Sequence, residues 1–382
     1  MDTETSLLPS RLLEDDTEPR ESQPDGQPAA AFSPQLGLAL ALITLVHFIP
    51  NLKKTRVSEF VVPIQHSGTL ASGLSFTVKK DWWRNQLSTS HGRGEYVLKI
   101  PRQSLSNNQE YLKDLLQETH ILSHAAIREH KNIINLENIG WVLVSVDPIE
   151  ISPALELEYA INGNLIDFEA SGVKVDYRIR KGLCAEIADA LQTIHSCGIV
   201  HGDIKPRNIL IFDHPDKRYT AKICDFGCSI LVTSTIDSSG DHLMRLPGYT
   251  PPWHAPEAKE LIRRDRLYLT DIFSFGLLIW NILKFGDPFS EFDLPLEKHA
   301  RLEHIAGVLS SPILPEVIPA RILKETIGYD ELECSLLAEI FRHSLSQRPE
   351  KRDLKRILTL LQHGNGETQQ VVPINATTLV TY

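Results

Sequence analysis

The chain has few cysteines and no excess of basic residues. Its 382 residues include five cysteines, an odd number with no framework spacing. That excludes a disulfide-built scaffold and points to a reducing compartment. The formal net charge of -10 leaves no basic footprint for nucleic acid. No internal repeat is present, and no apolar run lies near the start, where a cleaved signal would. Cys224 and Cys228 form a C-x3-C pair with no second ligand pair nearby, so they read as ordinary core thiols rather than zinc ligands.

Long apolar runs are also scarce. The uncharged stretch from Pro34 to Ile49 has 16 residues, short of the roughly 20 that a membrane helix needs. Including Ala29 to Ser33 reaches that length. Residues 31–49 admit two readings. In one, the run is a membrane anchor whose basic flank, Lys53, Lys54 and Arg56, keeps the downstream chain on the cytosolic side. In the other, which Thr44, His47 and the prolines at each end favour, it is a helix docked on the folded body of a cytoplasmic protein.

What is present is concentrated in His201 to Asn208, HGDIKPRN. Transfer of a γ-phosphoryl group from ATP to a hydroxyl needs a carboxylate to orient the acceptor, a cation over the transferring oxygens and a magnesium ligand. Asp203, Lys205 and Asn208 supply those groups in that order. Downstream, Asp225-Phe226-Gly227 adds a second magnesium carboxylate at the end of a short apolar strand, and Gly227 lets the chain turn. Upstream, Glu95 to Ile100, EYVLKI, alternates like a strand and places Lys99 as a phosphate-binding cation. In YLKDLLQETHIL, Leu115, Glu118 and Leu122 share one helical face, which could bring Glu118 to Lys99.

With these motifs in order, together with LELEYA and HAPE, the chain resembles a eukaryotic-type protein kinase over residues 57–362. The resemblance implies an α+β, bilobal fold: a small β-rich N-lobe (57–157) with one long helix, and a larger, mainly helical C-lobe (161–362). ATP and Mg2+ are the implied cofactors and a protein the implied substrate. Carried over by position, Leu157 is the gatekeeper, and Glu158, Tyr159 and Ala160 form the hinge that meets adenine. Val78 and Val97 roof the base, Leu210 lies beneath it, and Gly73 belongs to the phosphate loop. Asn208 and Asp225 hold magnesium. Glu257 is expected to pair with Arg352, and Asp271 to hold the loop containing Asp203. Lys205, two residues after Asp203, and Thr250 resemble the serine/threonine class. An apolar N-terminal helix, a VPI-like strand and the GLSFTV stretch also resemble some kinases of filamentous fungi.

Three departures from the family pattern stand out. The phosphate loop, Ala71 to Val78, keeps only Gly73 of three glycines, with Phe76 at its expected tip, so ATP binding is expected to be slower or weaker. Gly202 replaces an Arg that ordinarily pairs with a phosphate on the activation segment. Activity independent of that phosphorylation is one reading, and simple relaxation of the loop the other. Arg207 and Asn164 replace two acids, which disfavours Arg-directed substrates. The eroded loop alone supports a rival reading as an ATP-binding pseudokinase scaffold with little or no turnover.

Around this core, residues 1–30 read as a disordered acidic tail, 31–56 as the apolar helix with its basic flank, and 363–382 as a polar flexible tail. Trp82 and Trp83 fall in a long excursion between strands and read as packing or as a partner surface. Ile179, Leu183, Ile187, Leu191 and Ile194 mark an amphipathic helix running into HGDIKPRN, on which His195 reads as a satisfied surface or interface residue. IFSFGLLIWNIL, apolar nearly all round, reads as a buried helix.

Overall fold

The structure is a computed structural model that describes residues 56–63, 69–72, 76–80, 96–101, 109–146, 149–232, 243–290, 292, 294–295, 297–327 and 330–363. The acidic tail, the run 31–49, Gly73, Trp82, Trp83, the hydroxyls between 233 and 239, and the C-terminal tail lie outside these residues.

Six strands form the sheet of the small lobe: β1 (Arg56–Pro63), β2 (Thr69–Ser72), β3 (Phe76–Lys80), β4 (Tyr96–Pro101), β5 (Leu136–Val146) and β6 (Ile149–Glu158). Their order is β1-β5-β6-β4-β3-β2. All neighbours are antiparallel except β1, which adds to the β5 edge in parallel, Val61 opposite Trp141. A parallel edge strand leaves no turn signal in sequence, because its partner is remote. Phe76 opens β3, where its backbone is paired with Pro101, so it lies at a strand end and not at the tip of the loop. The β-branched Thr77 and Val78 extend the strand toward it.

Helix α1 (Gln109–Ser123) buries Leu115, Glu118 and Leu122 on one face, as their spacing requires, and α2 (Ala125–Arg128) comes next. In the large lobe, α3 (Leu165–Ala170) precedes α4 (Tyr177–Ser196), which Asp176 caps by accepting from Arg178 N at 2.7 Å. After α4 come β7 (Ile199–Val200), the hairpin of β8 (Ile209–His214) and β9 (Arg218–Ile223), and the short strands β10 (Ile230–Leu231), β11 (Leu243–Met244) and β12 (Ile262–Arg263). Helix α5 (Tyr268–Lys284) is buried from Leu269 to Leu283. Arg264–Lys284 is long and apolar enough to cross a membrane, yet this segment is the lobe's central core helix. Helix α6 (Lys298–Leu309) comes next, α7 (Leu314–Thr326) and α8 (Glu331–Ser344) pack against α5, and α9 (Leu354–Gln362) packs against α4 and α8. At Gly276 a Cβ would come within 2.7 Å of Ser344 Cβ, so α5 and α8 cross where only a glycine fits. This small strand-rich part and larger helical part form the bilobal α+β fold.

One buried polar knot makes stability depend on pH. Glu169, on α3, accepts from Asn281 Nδ2 at 3.3 Å, while Glu169 Oε1 and Asn281 Oδ1 are buried without a hydrogen-bond partner. Burial, outweighing the Asn281 bond, pushes the Glu169 carboxyl up to about 7 from an ordinary 4.5. Between those values the unfolded chain has released a proton that the folded chain still holds, so stability falls as pH rises through the window. Glu169→Gln, whose amide can donate to Asn281, should flatten that slope in thermal melts from pH 5 to pH 8. A variant that keeps the wild-type slope would assign it elsewhere.

Candidate active site

Cross-strand register builds the upper wall of the cleft. Val78 lies opposite Lys99, and Val97 opposite Leu157, so with Val97 and Lys99 two residues apart on β4 these side chains share one face. Lys99 Nζ donates to Glu118 Oε2 at 2.6 Å and to Asp225 Oδ1 at 2.7 Å. Burial opposes the lysine's charge, but the carboxylates of Asp225 and Glu118 outweigh it and hold the ammonium well above its usual range. Lys99 in turn holds the Asp225 carboxyl at about 2. One cation therefore joins the small-lobe sheet, α1 and the segment after β9. Gln117 Nε2 on α1 also donates to Ser229 O.

The HGDIKPRN loop is held from below by Asp271 on α5. Asp271 Oδ2 accepts from His201 N at 2.8 Å, and Oδ1 accepts from Gly202 N at 2.8 Å. His195 Nε2 meets the same Oδ2 at 2.9 Å, so His195 is a satisfied residue that helps fix Asp271. His201 Nε2 donates to Cys224 O at 3.1 Å, and its ring lies 5.1 Å from that of the fully buried Phe226. On this support, Asp203 Oδ2 accepts from Lys205 Nζ, and Oδ1 accepts from Thr250 Oγ1 at 2.7 Å. Lys205 Nζ also donates to Thr250 Oγ1 at 2.8 Å. Asn208 Nδ2 donates to Asp203 O at 2.8 Å. Asp225 adopts φ +68°, a left-handed backbone that aims its carboxylate at Lys99.

Gly202 has a local cause. Its φ is +80°, and a Cβ there would lie 2.5 Å from Cys228 O, a contact that backbone must move to relieve. Geometry thus supports the relaxation reading, since this loop needs a residue without a side chain. Gly202→Ala should lower stability by about 1–3 kcal/mol, read as a lower melting temperature. An unchanged melt would show that the loop accommodates a side chain.

At the junction of the lobes, Leu157 and Ala160 are buried and Leu210, on β8, is half-buried. The Glu158 carboxylate is engaged by Lys222 Nζ at 2.6 and 2.7 Å and by Asn135 N at 2.8 Å, partnerships that leave no periodic trace in sequence. Arg207 is exposed. Asn164 caps α3 by accepting from Ile166 N at 2.9 Å, and Asp167 completes a capping box. A Glu257–Arg352 pair is present, Arg352 Nη2 donating to Glu257 Oε2 at 3.1 Å. Burial pushes the Cys224 thiol well up and Cys228 up to about 11. Among the described residues, no His, Cys, Asp and Glu group could hold a metal ion on protein ligands alone.

Known proteins match this sequence. The protein kinase domain family matches residues 86–358. A probable receptor-like protein kinase of Arabidopsis thaliana is 29% identical over 247 residues, covering 58% of this chain and 66% of its own length. The probable serine/threonine-protein kinase drkC of Dictyostelium discoideum is 28% identical over 245 residues, 63% of this chain and 28% of that protein. The serine/threonine-protein kinase DCLK1 of Rattus norvegicus is 30% identical over 196 residues, 51% of this chain and 40% of that protein. The chain spans less than two thirds of each relative's length. The matched family covers more than half of the chain, including the Lys99–Glu118–Asp225 cluster and the HGDIKPRN loop, and the chain belongs to the protein kinase superfamily.

Proposed function

We propose that the chain is an active serine/threonine kinase that transfers the γ-phosphoryl group of Mg-ATP to a protein hydroxyl. The observation that carries this reading is Lys99 bonded at once to Glu118 and Asp225 across the cleft, above an Asp203 already oriented by Lys205, Thr250 and Asn208. Val78, Val97 and Leu157 would offer an apolar roof for adenine and Leu210 a floor, and Lys99 would hold the nucleotide's phosphates. The donor set fits magnesium, since the carboxylate of half-exposed Asp225 and the amide oxygen of Asn208 are hard oxygen ligands. When bound, the metal supplies charge neutralisation at the phosphate oxygens.

Asp203 accepts the proton of the acceptor hydroxyl as the bond from that oxygen to phosphorus forms and the bond to the β-phosphate oxygen breaks. Lys205, two residues on, neutralises charge on the transferring group. Thr250 holds Asp203 Oδ1 and keeps the carboxylate aimed. Labelled phosphate should appear on serine or threonine when the full chain meets Mg-ATP and a mixed protein acceptor. Phosphotyrosine alone would refute the acceptor class. With Arg207 exposed and Asn164 committed to its cap, a peptide array should show no preference for Arg before the acceptor. A strong Arg preference would overturn that assignment.

A further inference from the structure

We infer that Leu246 is a positioning residue for phosphoryl transfer: its side chain plugs the segment that carries Thr250 into a small apolar cluster beside the strand leading into the HGDIKPRN loop, and so keeps Thr250 on Asp203. The inference rests on the proposed reading of Asp203 as the base for the acceptor hydroxyl and adds a residue that no sequence motif marks.

From Leu243 to His254 the chain has no helix, and Leu246 is the one buried residue, 6% exposed, between exposed Arg245 and exposed Pro247. It packs with Val200, Ile230, Ala258, Ile262 and Leu267, all buried, in a cluster separate from the main core. Two strand pairs and a turn supply most of its members. Val200 and Ile230 lie opposite each other between β7 and β10, Ile262 lies opposite Met244 between β12 and β11, and Ala258 belongs to the turn Pro256–Lys259. Strand pairs only two residues long do not hold themselves together in water, so burial of the apolar cluster does it. Half-buried Met244 packs against the cluster, and Leu246 is the only buried side chain that its own stretch contributes.

This plug bears on Asp203 from two directions. Val200 is the residue before His201, so one wall of the cluster is continuous with the HGDIKPRN loop. On the other side, a short link runs from Leu246 to Thr250, whose Oγ1 donates to Asp203 Oδ1 at 2.7 Å and accepts from Lys205 Nζ at 2.8 Å. Pro247 stiffens that link, so a displaced plug displaces Thr250. Leu246 also lines a small cavity together with Gly202, Asp203, Thr250 and Thr270. Cutting the side chain back to alanine opens further space in a cavity that Asp203 itself lines, and gives Thr250 room to leave the carboxylate. The bonds from Lys99 to Glu118 and Asp225 involve none of these apolar residues. Loss of the plug should therefore slow transfer and leave nucleotide binding as it is.

The test measures the dissociation constant of Mg-ATP, and kcat for transfer to a mixed protein acceptor, on the full chain and its Leu246→Ala, Leu246→Met, Thr250→Val and Leu246→Ala/Thr250→Val variants, at a temperature where each is folded. Leu246→Ala should lower kcat by about 10- to 100-fold, the scale of a misplacement of about 1 Å at a reacting group, with ATP affinity unchanged. Leu246→Met, which conserves volume and apolarity, should restore most of the rate. Because Leu246 acts through Thr250, adding Leu246→Ala to Thr250→Val should cost little beyond Thr250→Val alone. An unchanged kcat in folded Leu246→Ala, a matching loss of ATP affinity, no rescue by Met, or losses that multiply in the double variant would each overturn the inference. A folded wild type that binds Mg-ATP and transfers nothing would instead overturn the kinase reading beneath it. Should Leu246→Ala not fold, Leu246→Val decides: a lower kcat at unchanged ATP affinity supports the inference, and an unchanged kcat overturns it.

Discussion

Replacing Asp203 by Asn should reduce phosphoryl transfer by about 10²- to 10⁴-fold, the range for removing a positioned general base. The substitution keeps the shape of the side chain, and its amide oxygen can still accept from Thr250. What is lost is the basic oxygen that takes the acceptor proton and the negative partner of Lys205. In the phosphate region Lys99 is held by Glu118 and Asp225, a cluster the substitution leaves intact. ATP affinity and melting temperature should therefore stay near wild type while transfer disappears. The measurement is magnesium-dependent transfer from labelled ATP by the two full-length chains side by side. Transfer by Asp203→Asn within threefold of wild type would remove Asp203 from the chemistry. A folded wild type that binds ATP and transfers nothing would favour the scaffold reading instead.

Local chemistry was legible in sequence where spacing is short. Asp203, Lys205 and Asn208 sit within six residues of one another, and the HGDIKPRN loop brings all three together. Leu115, Glu118 and Leu122 announce a helical face by their periodicity, and the alternation of EYVLKI announces a strand. Contacts between distant segments left no such mark. Nothing in the chain between Glu158 and Lys222, or between His195 and Asp271, signals that these pairs meet. Gly202 was visible as a departure, but its cause is a backbone angle and the carbonyl of Cys228, neither of which sequence displays. Asn164 is a different case. Asn164-Leu165-Ile166-Asp167 carries the capping pattern openly, and the structure shows it in use. Its side chain is committed to the start of α3.

The largest stability effect is expected at Arg352. Its guanidinium is fully buried, and it serves several partners at once. It donates to both oxygens of Glu257 and, at 2.9 Å each, to Ser346 O and Leu269 O, and it lies 4.9 Å from the Phe273 ring centre. These contacts bind the turn Pro256–Lys259, just past the Thr250 segment, to α5 and to the junction of α8 and α9. Arg352→Met would fill much of the volume but strand the Glu257 carboxylate and two carbonyls away from water. Breaking a buried pair from one side costs about 3–5 kcal/mol. For a domain of this size that lowers the melting temperature by on the order of 10 °C. Arg352→Lys keeps the charge but lacks the planar fork, so it should recover only part of the loss. Arg352→Met combined with Glu257→Gln should cost less than the two single changes summed, because the second removes the charge that the first leaves stranded. A Met variant melting within about 2 °C of wild type, a loss of about 1 kcal/mol or less, would show that the pair is dispensable. Because Thr250 lies in the segment this pair anchors and bonds Asp203, transfer activity should fall with the anchor even below the melting transition.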